Sequence, residues 1–372
     1  MKTSRLPLLD AMKGIGCIAI VMHHLAVYGP MSEVVREAAP AFINALELYA
    51  RLAVQMFFVL AGFLVAAQLA PEGYALKLTQ PTTARPALSL IFKRYRRLVT
   101  PFIFAIAAAI LITAFVRPWF VHDSLSAPPS VAQLLAHALF VHDLTGFEAL
   151  SAGVWYVAID FQLFIVTVLL TALSARLTPN WRWIFPSLII ALAASSLWVI
   201  NRNDRYENYA PYFFGAYALG MLAYWSTRQS FGSIVPLITV TLGTTALWLQ
   251  YRNPIAVALA TAILISIAGQ RGWLVRWPRP GILTWLGQRS YSIFLIHYGL
   301  CIATNAVWSR FFPTGVLINA LGMLFAVMMS ITAGAVLYRY VESQPTVFGR
   351  NRITVILGAA VGTAFLLEAL TW

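Results

Sequence analysis

Eleven stretches of apolar residues succeed one another along this chain, at approximately 11–29, 51–70, 98–116, 152–174, 183–200, 211–226, 233–250, 255–270, 289–308, 316–338 and 354–371. A helix needs about 20 such residues to cross about 30 Å of hydrocarbon. In lipid the backbone must satisfy its own polar groups, which leaves the helix as the local solution. The pattern therefore predicts an all-α, polytopic integral membrane protein with about 10–11 transmembrane helices. The runs at 211–226 and 255–270 are short, and the run at 131–141 is expected to lie as a helix in a loop. Of the 372 residues only 10% are charged, against about 25% in soluble domains. That number cannot give two or three soluble domains a hydrated surface. Short connections predict a single membrane domain over 1–372, with no appended soluble domain.

The charges sort by side. With the N-terminus in the cytoplasm, one set of loops holds nineteen of the 26 basic residues and three acids, a balance of +16. Everything else holds seven basic residues and ten acids, a balance of −3. The positive-inside rule then predicts a multi-pass plasma-membrane protein, bacterial inner membrane in type, with a cytoplasmic N-terminus. The same clustering argues against nucleic acid as the partner of this basic chain. Cys17 and Cys301 each sit in an apolar run, so neither a disulfide framework nor a thiolate metal site is read, and no metal is expected. The first run lacks a small-residue cleavage site and reads as a helix rather than a removed leader.

Ionisable groups within spans are costly and mark function by default. The first span, LLDAMKGIGCIAIVMHHLAVYG, has the densest set. Lys13 and His24 are eleven residues apart, close to three turns, so both occupy one face about 16 Å apart. Asp10 lies near the same stripe, whereas His23 is rotated away. A cation at one end and an imidazole at the other suit a polar path, although a snorkelling Lys13 and a packed His24 fit equally.

Three further segments carry polar groups. FKRYRRL at 92–98 brings Lys93, Arg94, Arg96 and Arg97 together, with Arg94 and Arg97 on one helix face. Guanidinium pairs bidentately with phosphate oxygens, and the competing reading is a topology anchor. GVWYVAIDFQLF at 153–164 places Asp160 and Gln162 inside a span behind the interfacial pair Trp155 and Tyr156. SYSIFLIHYGL carries His297 near mid-span, as a lining group, a catalytic group or an interhelical hydrogen bond. Glu342, one of three acids on the basic side, is expected to pair with an arginine. No P-loop, GxGxxG, HExxH, GxSxG or EF-hand pattern occurs.

Taken in order, these segments resemble the membrane acyltransferase-3 superfamily, from the first span to the tenth. Lys13 and His24 match its basic-x10-His pattern, with Asp10 at its Leu-Asp position. QMFFVLAGFLV at 55–65 is similar to its FFVLSGF segment, with Ala61 for serine. Arg94 and Arg97 match its RxxR motif, and Trp155 to Asp160 resembles its tryptophan-led motif, which more often ends in glutamate. LGQRSYSIFLIHYGL at 286–300 resembles its LGxxSYxIYLxH segment. YRYVESQP at 338–345 resembles its terminal RxxExP-type stretch, with one extra residue before Pro345.

The resemblance implies transfer of an acyl group, most often acetyl, from cytosolic acyl-CoA to a hydroxyl of an extracytoplasmic glycan or glycolipid, such as an exopolysaccharide or O-antigen precursor. CoA phosphates would rest on Lys13, Arg94 and Arg97. His24 would act as general base or carry the acyl group, and Asp160 would orient the imidazole. Asp10, Trp155, Gln162 and His297 would line the site. Loops 29–50 and 117–151 and the segment 201–212 would face the acceptor. The competing reading is a proton-coupled transporter or flippase using His24, Asp160 and His297 as a relay. Against it stands the lack of an inverted repeat.

Overall fold

A computed structural model describes residues 6–73, 85–174, 183–228, 232–278 and 281–344. Within them the chain forms fourteen α-helices: α1 (Pro7–Val27), α2 (Pro30–Ala38), α3 (Pro40–Tyr49), α4 (Ala53–Leu69), α5 (Arg85–Val116), α6 (Val131–Ala138), α7 (Val154–Ser174), α8 (Ile184–Trp198), α9 (Ala210–Ser226), α10 (Ile234–Leu249), α11 (Asn253–Gln270), α12 (Trp273–Arg276), α13 (Ile282–Phe311) and α14 (Val316–Leu337). There is no strand among the described residues. Proline opens α2 and α3 and lies in the first turn of α9 and α11. Its missing N–H costs nothing there. Ser130 and Gln133 cap α6 reciprocally, the arrangement that satisfies two orphan N–H groups at once.

Eight helical stretches are long and apolar enough to cross a membrane, and α10 is a shorter apolar helix. Of the expected spans, 211–226 forms the 17-residue α9 and 233–250 the 16-residue α10. The stretch 354–371 lies outside the described residues. Residues 131–141 do carry the short loop helix, as α6. Loop 29–50 differs from the expectation, because it is helical. Its α2 is sharply two-sided, burying Met31, Ser32 and Val35. The Arg36–Glu47 ion pair ties α2 to α3. From Pro40 the helical run continues to Leu69. Its place between two apolar runs made this stretch read as a loop, and the Arg36–Glu47 pairing is compatible with helix there.

The faces are inverted relative to a soluble bundle. Helix α14 buries small and polar residues, among them Asn319, Gly322, Ala326, Ser330 and Gly334. It exposes Leu317, Leu321, Leu324 and Met328, which recur at helical spacing. In water such a face would be a liability. In hydrocarbon it is the expected outer surface, and close packing of small residues holds the inner one.

The chain divides into two compact units. The first contains α4, the start of α5 to Tyr95, α7 from Ala158, and α8 to α12. At its centre α9 is packed against α4, α8, α10 and α11 and is buried almost all round, as a helix apolar on every face should be. Gly62 and Gly220 permit the α4–α9 contact. A Cβ on Gly62 would lie 1.8 Å from the Tyr217 carbonyl oxygen, and one on Gly220 1.9 Å from that of Val59. We expect Gly62→Val to destabilise the protein by at least about 1–3 kcal/mol, the cost of overpacking a fitted core. Thermal unfolding in detergent checks this, and an unchanged midpoint would show that α4 and α9 can part freely.

The second unit contains α1 from Asp10, α2, α3, α5 from Arg96, α6, the start of α7, α13 and α14. Here α1 and α13 run parallel and in register. The Cys17 thiol faces the Ser290 carbonyl and His24 faces His297, both across a separation of 273 residues. Gly14 and Gly287 again allow the approach: a Cβ on Gly14 would sit 2.3 Å from the Leu283 oxygen.

Candidate functional site

The parallel register of α1 and α13 brings two buried histidines together. His24 Nδ1 is 2.6 Å from His297 Nε2. The rings are inclined by only 13° with centroids 4.9 Å apart, so they meet edge to edge through the nitrogens. His297 Nδ1 lies 2.6 Å from the Phe294 carbonyl oxygen. His297 is fully enclosed, whereas His24 keeps 8% of its surface accessible. Tyr28 and Tyr298 flank the His24 ring. An aromatic series runs from Trp155 through Tyr156 and Phe294 to His297. Gly153, at φ +83°, opens α7 against the Phe294 ring, and a Cβ there would fall 2.7 Å from that ring. His23 instead has Nδ1 3.2 Å from the Leu46 carbonyl, which ties α1 to α3.

Lys13, eleven residues before His24 on α1, is ion-paired with Asp10 at 3.4 Å. Glu342 feels the charges of Arg97 and Lys13 and accepts a 2.6 Å hydrogen bond from the Ser292 hydroxyl. Sequence reasoning gave Glu342 an arginine. The structure supplies Ser292 as its hydrogen-bond partner, with Arg97 in electrostatic reach. This end of the second unit thus gathers Lys13, Arg97, Asp10 and Glu342, and Arg97 itself is exposed.

The first unit holds a charged pair within its helices. Arg94 Nη2 donates to Asp160 Oδ2 at 2.6 Å, and its guanidinium covers the Phe164 ring at 4.5 Å. Asp160 is buried in α7, with Tyr217 of α9 nearby. Sequence reasoning assigned Asp160 to orient His24 and Arg94 to hold phosphate. In the structure Asp160 is bonded to Arg94, and the partner of His24 is His297. Arg94 and Arg97, three apart on α5, therefore answer to different carboxylates. Gln162 is half-buried on α7, as is Trp155.

Within the segment 117–151 two histidines, His137 and His142, are buried. His137 and His142 stack at 4.1 Å, and His142 lies 3.3 Å from the Asp143 carboxylate. Burial pushes His137 down to about 4 and His142 to about 3, and lifts Asp143 to about 6. Burial thus disfavours the charged form of both imidazoles.

The site residues that sequence reasoning missed are Phe294, Ser292 and Tyr28, together with His297 in the role of direct partner to His24. No local signal marks a pair separated by 273 positions.

A family model described as an acyltransferase domain matches residues 6–340. Neither curated proteins nor solved structures give a significant match to the chain.

Proposed function

This chain belongs to the acyltransferase-3 family, and from that premise we propose that it moves an acetyl or related acyl group from cytosolic acyl-CoA to a hydroxyl of a glycan or glycolipid beyond the membrane. The proposed setting is a bacterial inner membrane, with the N-terminus cytoplasmic and an exopolysaccharide or O-antigen precursor as acceptor. The observation that carries the reading is helix α1. It bears a cationic Lys13, in a cluster that includes Arg97, at one end. Three turns on it bears a buried histidine whose Nε2 makes no hydrogen bond among the described residues.

CoA is strongly anionic and stays out of hydrocarbon, so its phosphates belong at the basic end, on Lys13 and Arg97. Its thin pantetheine arm then carries the thioester along the helices towards His24. A hydroxyl is a weak nucleophile at neutral pH, and a positioned imidazole, with an ordinary pKa of about 6.5, is the suitable base. In direct transfer His24 Nε2 takes the hydroxyl proton as the new C–O bond forms. The C–S bond then breaks, and the proton returns to the leaving sulfur. In the covalent route the same nitrogen takes the acyl group first. Family membership favours either route over the proton-coupled transporter.

Acetyl-CoA, unlike free acetate, should stabilise the purified protein, by about 2.7 kcal/mol at a hundredfold excess over Kd. A thermal midpoint that acetyl-CoA leaves unmoved would overturn the donor assignment. Arg97→Ala should raise the donor KM about tenfold with kcat retained, since a hydrogen bond to a charged group is worth about 1.5–3 kcal/mol. An unchanged KM would return Arg97 to a topology anchor.

A further inference from the structure

We propose that His297 is a positioning residue: its ring dictates which nitrogen of His24 carries the proton, and so which nitrogen is left to act as base. This rests on the acyltransferase reading above and assigns the enclosed histidine of α13 a defined task in it.

The hydrogen bonds lead inward from the backbone. The Phe294 carbonyl can only accept, so the 2.6 Å contact requires the proton of His297 to sit on Nδ1. A neutral imidazole has a single N–H, which leaves Nε2 of His297 as a lone pair. That lone pair faces His24 Nδ1 at 2.6 Å, in the plane of both rings. His24 Nδ1 must therefore donate, and Nε2 of His24 is the unprotonated base. The hydrogen bond made by one ring nitrogen fixes the state of the other.

The arrangement does what a carboxylate does behind a catalytic histidine, without placing a charge in the membrane. When His24 takes a proton in the reaction, its Nδ1–H bond to His297 becomes charge-assisted and strengthens. His297 cannot touch the reactants, because it is fully enclosed while His24 keeps some accessible surface. Its ring is held in turn by Phe294 and by the close α1–α13 approach at Gly14 and Gly287.

The test compares His297→Gln, His297→Asn and His297→Leu by steady-state kinetics with acetyl-CoA. A Gln side-chain oxygen replaces the acceptor at the Nε2 position. Asn reaches only the Nδ1 position and restores the bond to Phe294 without that acceptor, and Leu supplies neither. We expect kcat to fall about a hundredfold or more in the Asn and Leu variants, as when a catalytic histidine loses the group that sets its tautomer. Donor KM should stay within about threefold of wild type, and Gln should recover most of kcat. Should Leu fail to fold, the Gln–Asn comparison alone decides. Wild-type kcat in His297→Asn, or equal losses in Gln and Asn, would overturn the positioning role. His24→Ala separates the two levels: activity in that variant removes the assignment of His24 itself, whereas a dead His24→Ala beside an active His297→Asn removes only the role of His297.

Discussion

His24→Ala is expected to abolish acyl transfer while the protein remains inserted and folded. A positioned base contributes about 10²–10⁴-fold, and the neighbouring imidazole of His297 is held behind the place of His24 by its Nδ1 bond to the Phe294 carbonyl. Alanine also leaves the His297 Nε2 lone pair without its donor, at a stability cost of about 1–3 kcal/mol for an unsatisfied buried group. His24→Asn provides the control. Its amide N–H occupies the Nδ1 position and still donates to His297, so stability should return towards wild type while activity stays lost. Product formation from radiolabelled acetyl-CoA, read beside thermal unfolding, gives both quantities. Near-wild-type turnover in either variant would remove His24 from the chemistry.

Arg94→Met is expected to destabilise the first unit strongly. Asp160 is 6% exposed in the middle of α7, and the Arg94 guanidinium is bonded to its carboxylate at 2.6 Å. Removing one member of a buried pair leaves an uncompensated charge, at a cost of about 3–5 kcal/mol. The cation–π contact with Phe164 is lost as well. Adding Asp160→Asn to Arg94→Met should recover most of the loss, because the stranded charge is then gone. A double-mutant cycle on unfolding in detergent measures that coupling. Strictly additive effects would show that the two side chains act independently. The outcome also separates the two arginines of the RxxR segment: Arg94 should read out in stability and Arg97 in donor KM.

Much of this protein was legible locally. The spans were, because hydrocarbon imposes one length and one kind of surface on each of them. The Lys13–Asp10 pair was, because residues three apart on a helix are neighbours whatever the rest of the chain does. Helix α6 announced itself by its length, whereas the Ser130–Gln133 box that caps it shows only in the structure. The stretch 29–50, charges included, was read only as a loop between two apolar runs, and it is helical. The Arg36–Glu47 contact that reconciles those charges with a helix depends on how α2 meets α3. The buried glycines Gly14, Gly62, Gly220 and Gly287 look alike in sequence, and which backbone each admits is invisible there.

Composition and periodicity by themselves determined that the chain is a membrane helix bundle, that the helix bearing Lys13 also bears His24 three turns further on, and that the RxxR cations open a span. These are consequences of near-neighbour geometry and of the solvent, both of which act residue by residue. Only the tertiary structure decided who partners whom. It gave Asp160 to Arg94 and His297 to His24, and it turned the free nitrogen of His24 to Nε2. The reason is that a hydrogen bond between residues 273 positions apart depends on the register of two packed helices. That register is set by backbone contacts at Gly14 and Gly287, for which a linear sequence carries no coordinate.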